Sequence, residues 1–245
     1  MGLWHTSGTP ITYHGYVPAV CRTVVTVATE RSRRADYSES TRAALVDSAI
    51  ALFTKQGYAA TSLDAIAKRA RVTKGALYHH FSGKQDLFEA AFRAVEIGVM
   101  TRLGEVVAGP GSAWDRAVSG LQGYIKVCLE PAYQRIVVHE GPVVMGSERW
   151  REAEDEFSYS LVRATLESLV EAGEIDELPL EVTARILFGA LSTGATIIAG
   201  SADPKKTGAE VATTITRVLE GMRRHQPPEP PLDEQKPGLL RRVRG

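Results

Sequence analysis

Lys74, Gly75, Ala76, Tyr78, His79 and His80 fall within seven residues of one another. Their types suit a single kind of chemistry, donating hydrogen bonds to base edges and phosphates. Gly75 and Ala76 are small enough to let a helix backbone come close to a polymer surface. Leu77 and Phe81 stand four apart and face inward. An ordinary solvated helical hairpin has the same composition, with Gly75 as a helix weakener. The flanking elements must therefore decide between the two.

Those flanks are helical. Thr61 with Asp64 matches the capping pattern of a helix start, and Leu63, Ile66, Ala67 and Ala70 recur at helical spacing behind it. Arg71, Val72 and Thr73 make a turn, with Val72 as apolar plug and Thr73 as the next N-cap. Upstream, residues 40–57 present Leu45, Ala49, Leu52 and Phe53 on one face and stop at Gly57. Downstream, Ser82 and Gln85 form a second capping box, opening a long helix through Leu87, Phe88, Ala91, Phe92 and Val95. Lys84 then lies in a first helical turn, where a cation opposes the helix dipole. A phosphate bound there would reconcile the two. A solvated lysine at a loop edge is the plain alternative.

Charge distribution agrees with DNA. The 245-residue chain is formally neutral, but residues 31–93 hold eleven Lys or Arg against six Asp or Glu, a local balance of +5. The remainder is acidic by the same amount, which places any phosphate-binding surface near the N-terminal end. Cys21 and Cys128 match no zinc or redox spacing. No metal site or cofactor is expected. No apolar run is read as long enough to span a membrane, and a cytoplasmic protein without a membrane role is expected. Residues 1–37 mix Gly, Pro and Thr without a period and lack the pattern of a signal peptide. They read as a disordered or misassigned extension. Arg31 to Arg34 could be a minor-groove arm or a solvated charge run. Residues 225–245, Pro-rich then basic, read as a tail that does not pack.

The order of these segments is the basis of a resemblance. G-Y-A-A-T-S-L-D-A-I-A, then R-V-T-K-G-A-L-Y-H-H-F, then S-G-K-Q-D-L-F is similar to the DNA-binding half of the tetracycline-repressor (TetR) family of bacterial transcription regulators. The likeness covers about residues 40–95, across three helices. It implies an all-α fold: a three-helix helix-turn-helix domain over 38–82, a linking helix over 83–108, and a helical effector-binding and dimerisation domain over 109–224. It also implies that Lys74, Gly75 and Ala76 read bases. Tyr78, His79 and His80 would contact the backbone and sometimes bases, and Thr61, Thr73 and Lys84 would contact phosphates.

Residues 96–224 read as helix throughout. Gly109 to Ser112 interrupts the chain, Ser112 with Asp115 caps a new helix, and Gly141-Pro142 interrupts again. Ser147 opens a long helix that stops at Gly173. Residues 180–199 form another, and Asp203-Pro204 starts the last. The resemblance extends more weakly here and implies a homodimer through helices 180–199 and 204–224. The first of these carries a run of small residues, Gly189, Ala190, Ser192, Thr193, Gly194 and Ala195, which would serve a close dimer contact or packing inside one subunit. The resemblance also implies a pocket for a small-molecule effector. Candidate lining residues are Trp114, Tyr124, Cys128, Met145, Trp150 and Phe157, with Arg135, His139 and Glu140 as possible polar contacts. Each large apolar residue is individually as well explained by core packing.

The resemblance implies the mechanism. A dimer with two recognition helices fits successive major grooves about 34 Å apart, so the operator should be palindromic. An effector that favours another spacing would release the DNA. A regulator controlled by a protein partner fits the same features. A sequence-neutral architectural protein would need a more basic chain. An enzyme is not expected, since no nucleophile elbow, H-E-x-x-H or P-loop motif is present.

Overall fold

A computed structural model describes residues 19–223, and the expectations for residues 1–18 and 224–245 lie outside them. The described residues are helical from end to end, without a strand; the one β-bridge joins Ile175 to Arg223. Helix α1 (Ala19–Ala60) starts well before Ser40, the position at which the sequence suggested a first helix. No glycine or proline between Arg31 and Ser40 stops it, and Thr41 donates back to Tyr37 O at 2.9 Å, a bond within a helix. The helix is bent at Gly57, whose backbone (φ 82°, ψ 169°) leaves helical space.

Helices α2 (Leu63–Ala70) and α3 (Lys74–His80) pack on α1. Their shared core is Leu45, Ala49, Phe53, Ile66, Leu77 and Phe81, all almost fully buried. The turn between them is closed by Arg71 in the left-handed region (φ 59°) and by Val72 N–H on Ala67 O at 3.0 Å. Val72 lies against the core, as the sequence predicted. Helix α4 (Lys84–Val107) buries Leu87, Phe88, Ala91 and Phe92 against this unit and continues into the second domain.

The second domain contains α5 (Ala113–Cys128), a π-helical segment (Tyr133–Glu140), α6 (Gly141–Met145), α7 (Ser147–Glu154), a π-helical turn (Asp155–Tyr159), α8 (Ser160–Glu171), α9 (Leu180–Ala199) and α10 (Pro204–Gly221). The reciprocal Ser112–Asp115 box caps α5 as expected, and Asp203 caps α10 through Lys206 N–H at 3.1 Å. Gly141-Pro142 does not interrupt the chain. Pro142 sits in the first turn of α6, where its missing N–H costs nothing, and the break falls at Gly146 (φ 82°). Helix α9 is long and apolar enough by composition to cross a membrane, contrary to the sequence expectation. Glu181 and Arg185 interrupt its apolar run without much lowering its mean hydropathy. In the fold it packs against α8 and α10.

Candidate DNA-binding surface and effector cavity

The start of α2 differs by one residue from the sequence reading. Ser62 is the N-cap, accepting from Ala65 N–H at 3.1 Å. Thr61 is buried; its hydroxyl donates to Gly57 O at 2.7 Å and receives Gln56 Nε2 at 3.2 Å. The slip has a local cause. With Ser and Thr adjacent, one hydroxyl can cap α2 while the other closes the chain at the Gly57 bend. Thr61 therefore shapes the turn and does not offer its hydroxyl to a phosphate, whereas Ser62 is exposed.

Helix α3 carries the face singled out in the sequence. Thr73 caps it through Ala76 N–H at 3.1 Å. Lys74, Gly75, Tyr78 and His79 are exposed, Ala76 and His80 half-buried, and Leu77 points wholly inward. Four donors thus project from a seven-residue helix held on the core by Leu77 and by Phe81 at its C-terminal end. A Cβ on Gly75 would meet nothing nearer than Thr73 Oγ1 at 3.9 Å. The protein's own packing does not require glycine there, and the bare backbone opens outward. Lys74 Nζ lies 2.9 Å from Asp64 Oδ1, both side chains well exposed. The hydrogen bond and charge of Asp64 hold the lysine pKa above its ordinary value, so Lys74 remains a cation and can exchange this carboxylate for a phosphate or base edge.

Lys84 occupies the first position of α4, beside α3. Its ammonium stands 4.3 Å over the Tyr58 ring and donates to Ala59 O at 3.3 Å. The capping box expected between Ser82 and Gln85 does not form. Gly83 is the N-cap, and Ser82 donates from N–H and Oγ to Asp86 Oδ2 at 2.8 and 3.1 Å. The carboxylate at Asp86, one position beyond Gln85, is the stronger acceptor for these two donors.

A second feature lies in the other domain. A cavity of about 110 Å³ runs between α4, α5, α8, α9 and α10, enough for a small organic molecule, since one water needs roughly 10–15 Å³ on that measure. Its walls are aliphatic (Met100, Leu103, Leu121, Leu166, Leu187, Leu191 among them), with Phe188 and a few hydroxyls. Tyr124 OH stands 3.5 Å from Tyr133 OH and 3.4 Å from Leu191 O. Burial pushes the Tyr124 phenol well above its usual pKa, so it stays neutral. Ser158 and Thr165 supply further hydroxyls, and Ser158 also donates to buried Glu96 at 3.3 Å. No charged side chain lines the cavity among the described residues.

Of the six lining residues expected, Tyr124 alone is there. Trp114 is core beneath the Arg223 guanidinium, 4.7 Å away. Cys128 is buried outside the walls, its thiol pushed up to about 12 by burial. Met145 is core, Trp150 lies half-buried against Gly141, and Phe157 packs near Arg93. Large side chains fill space, and the lining includes small residues, Ala117 and Gly120 on α5 with Ser158 and Thr165. Hydroxyls seven residues apart within an apolar helical stretch were the available sequence signal. Arg135 and Glu140 are not cavity groups either; they meet α1 at Gly57, and His139 is exposed.

Known proteins place this arrangement in a family. Residues 45–91 match the model described as bacterial regulatory proteins, tetR family, and residues 114–222 match the tetracyclin repressor-like C-terminal domain. The TetC protein of transposon Tn10 from Escherichia coli is 28% identical over 165 residues, covering 65% of this chain and 80% of that one. The HTH-type transcriptional regulator SrpR of Pseudomonas putida is 26% identical over 167 residues, covering 65% and 76%. A crystal structure of a TetR-family transcriptional regulator from Pectobacterium atrosepticum superposes with a TM-score of 0.68 at 27% identity, covering 77% of this chain and 96% of that one. The chain belongs to the tetracycline-repressor family and is a DNA-binding transcriptional regulator.

Proposed function

We propose that the protein is a cytoplasmic, homodimeric repressor, without catalytic activity, that binds a palindromic operator through α3 and is released by a neutral, largely apolar effector held in the cavity. The observation that carries this reading is the pairing of two surfaces of opposite character. An exposed donor-rich helix rests on a rigid core, and an uncharged cavity sits at the far end of the linking helix α4. Lys74, Gly75 and Ala76 would read bases, with Tyr78, His79, His80, Thr73 and Lys84 on the backbone; Ser62 takes the place first assigned to Thr61.

Exposed apolar residues support the dimer. Val182, Ile186 and Ile197 on α9 and Val218 on α10 are each at least half exposed, a costly arrangement for a monomer if they form one patch. The small residues of α9 divide between two duties. Gly194 and Ala195 are buried within the subunit, where a Cβ on Gly194 would come 2.8 Å from Val211. Gly189, Ala190 and Thr193 remain on the exposed side, available for close approach of a second α9.

The effector class follows from the walls. An anionic ligand would leave water for walls that carry no cation, at a cost of roughly several kcal/mol. A neutral ring system with one hydroxyl or carbonyl for the Tyr124–Tyr133 pair fits. The test is selection of bound sequences from random duplexes by the purified chain, followed by titration with phenylnaphthylamine, a neutral fluorophore, and its sulfonated analogue. A palindrome, and brightening by the neutral dye alone that Thr165→Phe abolishes, is the expected result. Enriched sites without two-fold symmetry would refute the dimer reading, and equal binding of the sulfonate would refute the neutral cavity.

A further inference from the structure

The bend at Gly57 is held from the other domain. Where α1 leaves helical geometry, Tyr58 N–H would be left without its partner in the helix. It donates instead to both oxygens of Glu140, 82 residues away, at 2.9 and 3.0 Å. Glu140 is in turn paired with Arg135 Nε at 3.2 Å. The approach is so close that a Cβ on Gly57 would lie 2.5 Å from Arg135 Nη2 and 2.7 Å from Glu140 Oε1. The backbone angles favour glycine at this position, and any side chain there would also displace the ends of Arg135 and Glu140.

On the DNA side, Tyr58 carries Lys84 over its ring, and Lys84 bonds Ala59 O. On the cavity side, Glu140 is the last residue of the π-helical segment whose first residue, Tyr133, lines the cavity and meets Tyr124 edge-on at 6.3 Å. A π-helical stretch is a poorer helix than an α-helix of the same residues and is common at functional sites. Conversion to α geometry would turn the residues after Tyr133 relative to it and would give the segment a second arrangement.

We infer that Glu140 is a positioning residue for DNA binding. Its carboxylate on the Tyr58 amide carries the state of the cavity, through the segment Tyr133–Glu140, to the end of α1 and to Lys84. This rests on the effector reading above. A ligand that displaces Tyr133 turns the segment, withdraws the carboxylate and frees the bend that sets α2 and α3.

The test compares the full chain with Glu140→Ala and Glu140→Gln, the amide keeping an acceptor for Tyr58 N–H. Operator affinity is measured with and without saturating phenylnaphthylamine. In the unsubstituted chain the dye should weaken operator binding by a factor within the usual allosteric range of about 5–150. Glu140→Ala should shrink that factor below about two while still binding dye with unchanged affinity in the absence of DNA, and Glu140→Gln should restore part of it. Retention of the full factor in Glu140→Ala overturns the inference. Failure of the dye to bind at all sinks the cavity reading instead. Thr165→Phe, which grows a ring into the same space, then replaces the dye: its effect on operator affinity must be smaller in the Glu140→Ala background than alone, and equal effects overturn the inference.

Discussion

Helix α3 and the cavity are opposites in how they are built. The first is seven consecutive residues whose outward side chains act one at a time. The second is a space bounded by five helices and two π-helical segments, in which the shape is what matters. On the proposed reading, α3 works through what projects from it, and the cavity through the space its lining side chains leave between them. The lesson is that a surface site is a property of local sequence, whereas an interior site is a property of how several distant segments leave a gap.

The contrast is tested most severely where α3 meets the core. Phe81→Ala empties a site only 2% exposed and should destabilise the DNA-binding domain by about 3–5 kcal/mol. Operator binding should fall with it, although Phe81 touches no DNA; thermal melting checks this. Gly57→Val should cost about 1–3 kcal/mol from backbone strain alone, with further loss as Arg135 and Glu140 are pushed aside. A melting temperature within a degree of the parent would show that the bend is not constrained as described.

Exposed positions should behave differently, changing binding without changing stability. Tyr78→Ala should weaken binding to operator and random duplex alike. Lys84→Ala should lower the slope of log affinity against log salt by about one phosphate; an unaltered slope removes Lys84 from the phosphate set. Lys74→Ala should instead narrow the ratio of operator to random binding, by about tenfold. The smallest effect sharpens the interior half of the comparison. With its thiol pushed up to about 12, Cys128 has almost no thiolate near neutral pH, and thiolate is the reactive form. In a Cys21→Ser background, the folded protein should resist iodoacetamide at pH about 8 and react fully once unfolded.

Much of the fold was legible in the sequence because it rests on short-range rules. Leu45, Ala49 and Phe53 at helical spacing, the Ser112–Asp115 box and the Asp203-Pro204 start each depend on residues within one or two turns. The misreadings are also local in origin. Thr61 and Ser62 compete for one cap, Asp86 outbids Gln85 for Ser82, and Pro142 is harmless at a helix start though disruptive within one.

The sequence by itself determined that this protein is all-helical, that α3 presents Lys74, Gly75, Tyr78 and His79 outward, and that the basic charge gathers at that end. Each of these depends on neighbours along the chain and on helical periodicity. Only the tertiary structure decided that Tyr124 alone of the expected pocket residues lines the cavity, that Tyr133, Ser158 and Thr165 join it, and that Glu140 reaches back 82 residues to cap the bend at Gly57. Those facts depend on distances between segments far apart in sequence, fixed by the packing of whole helices and carried by no local pattern.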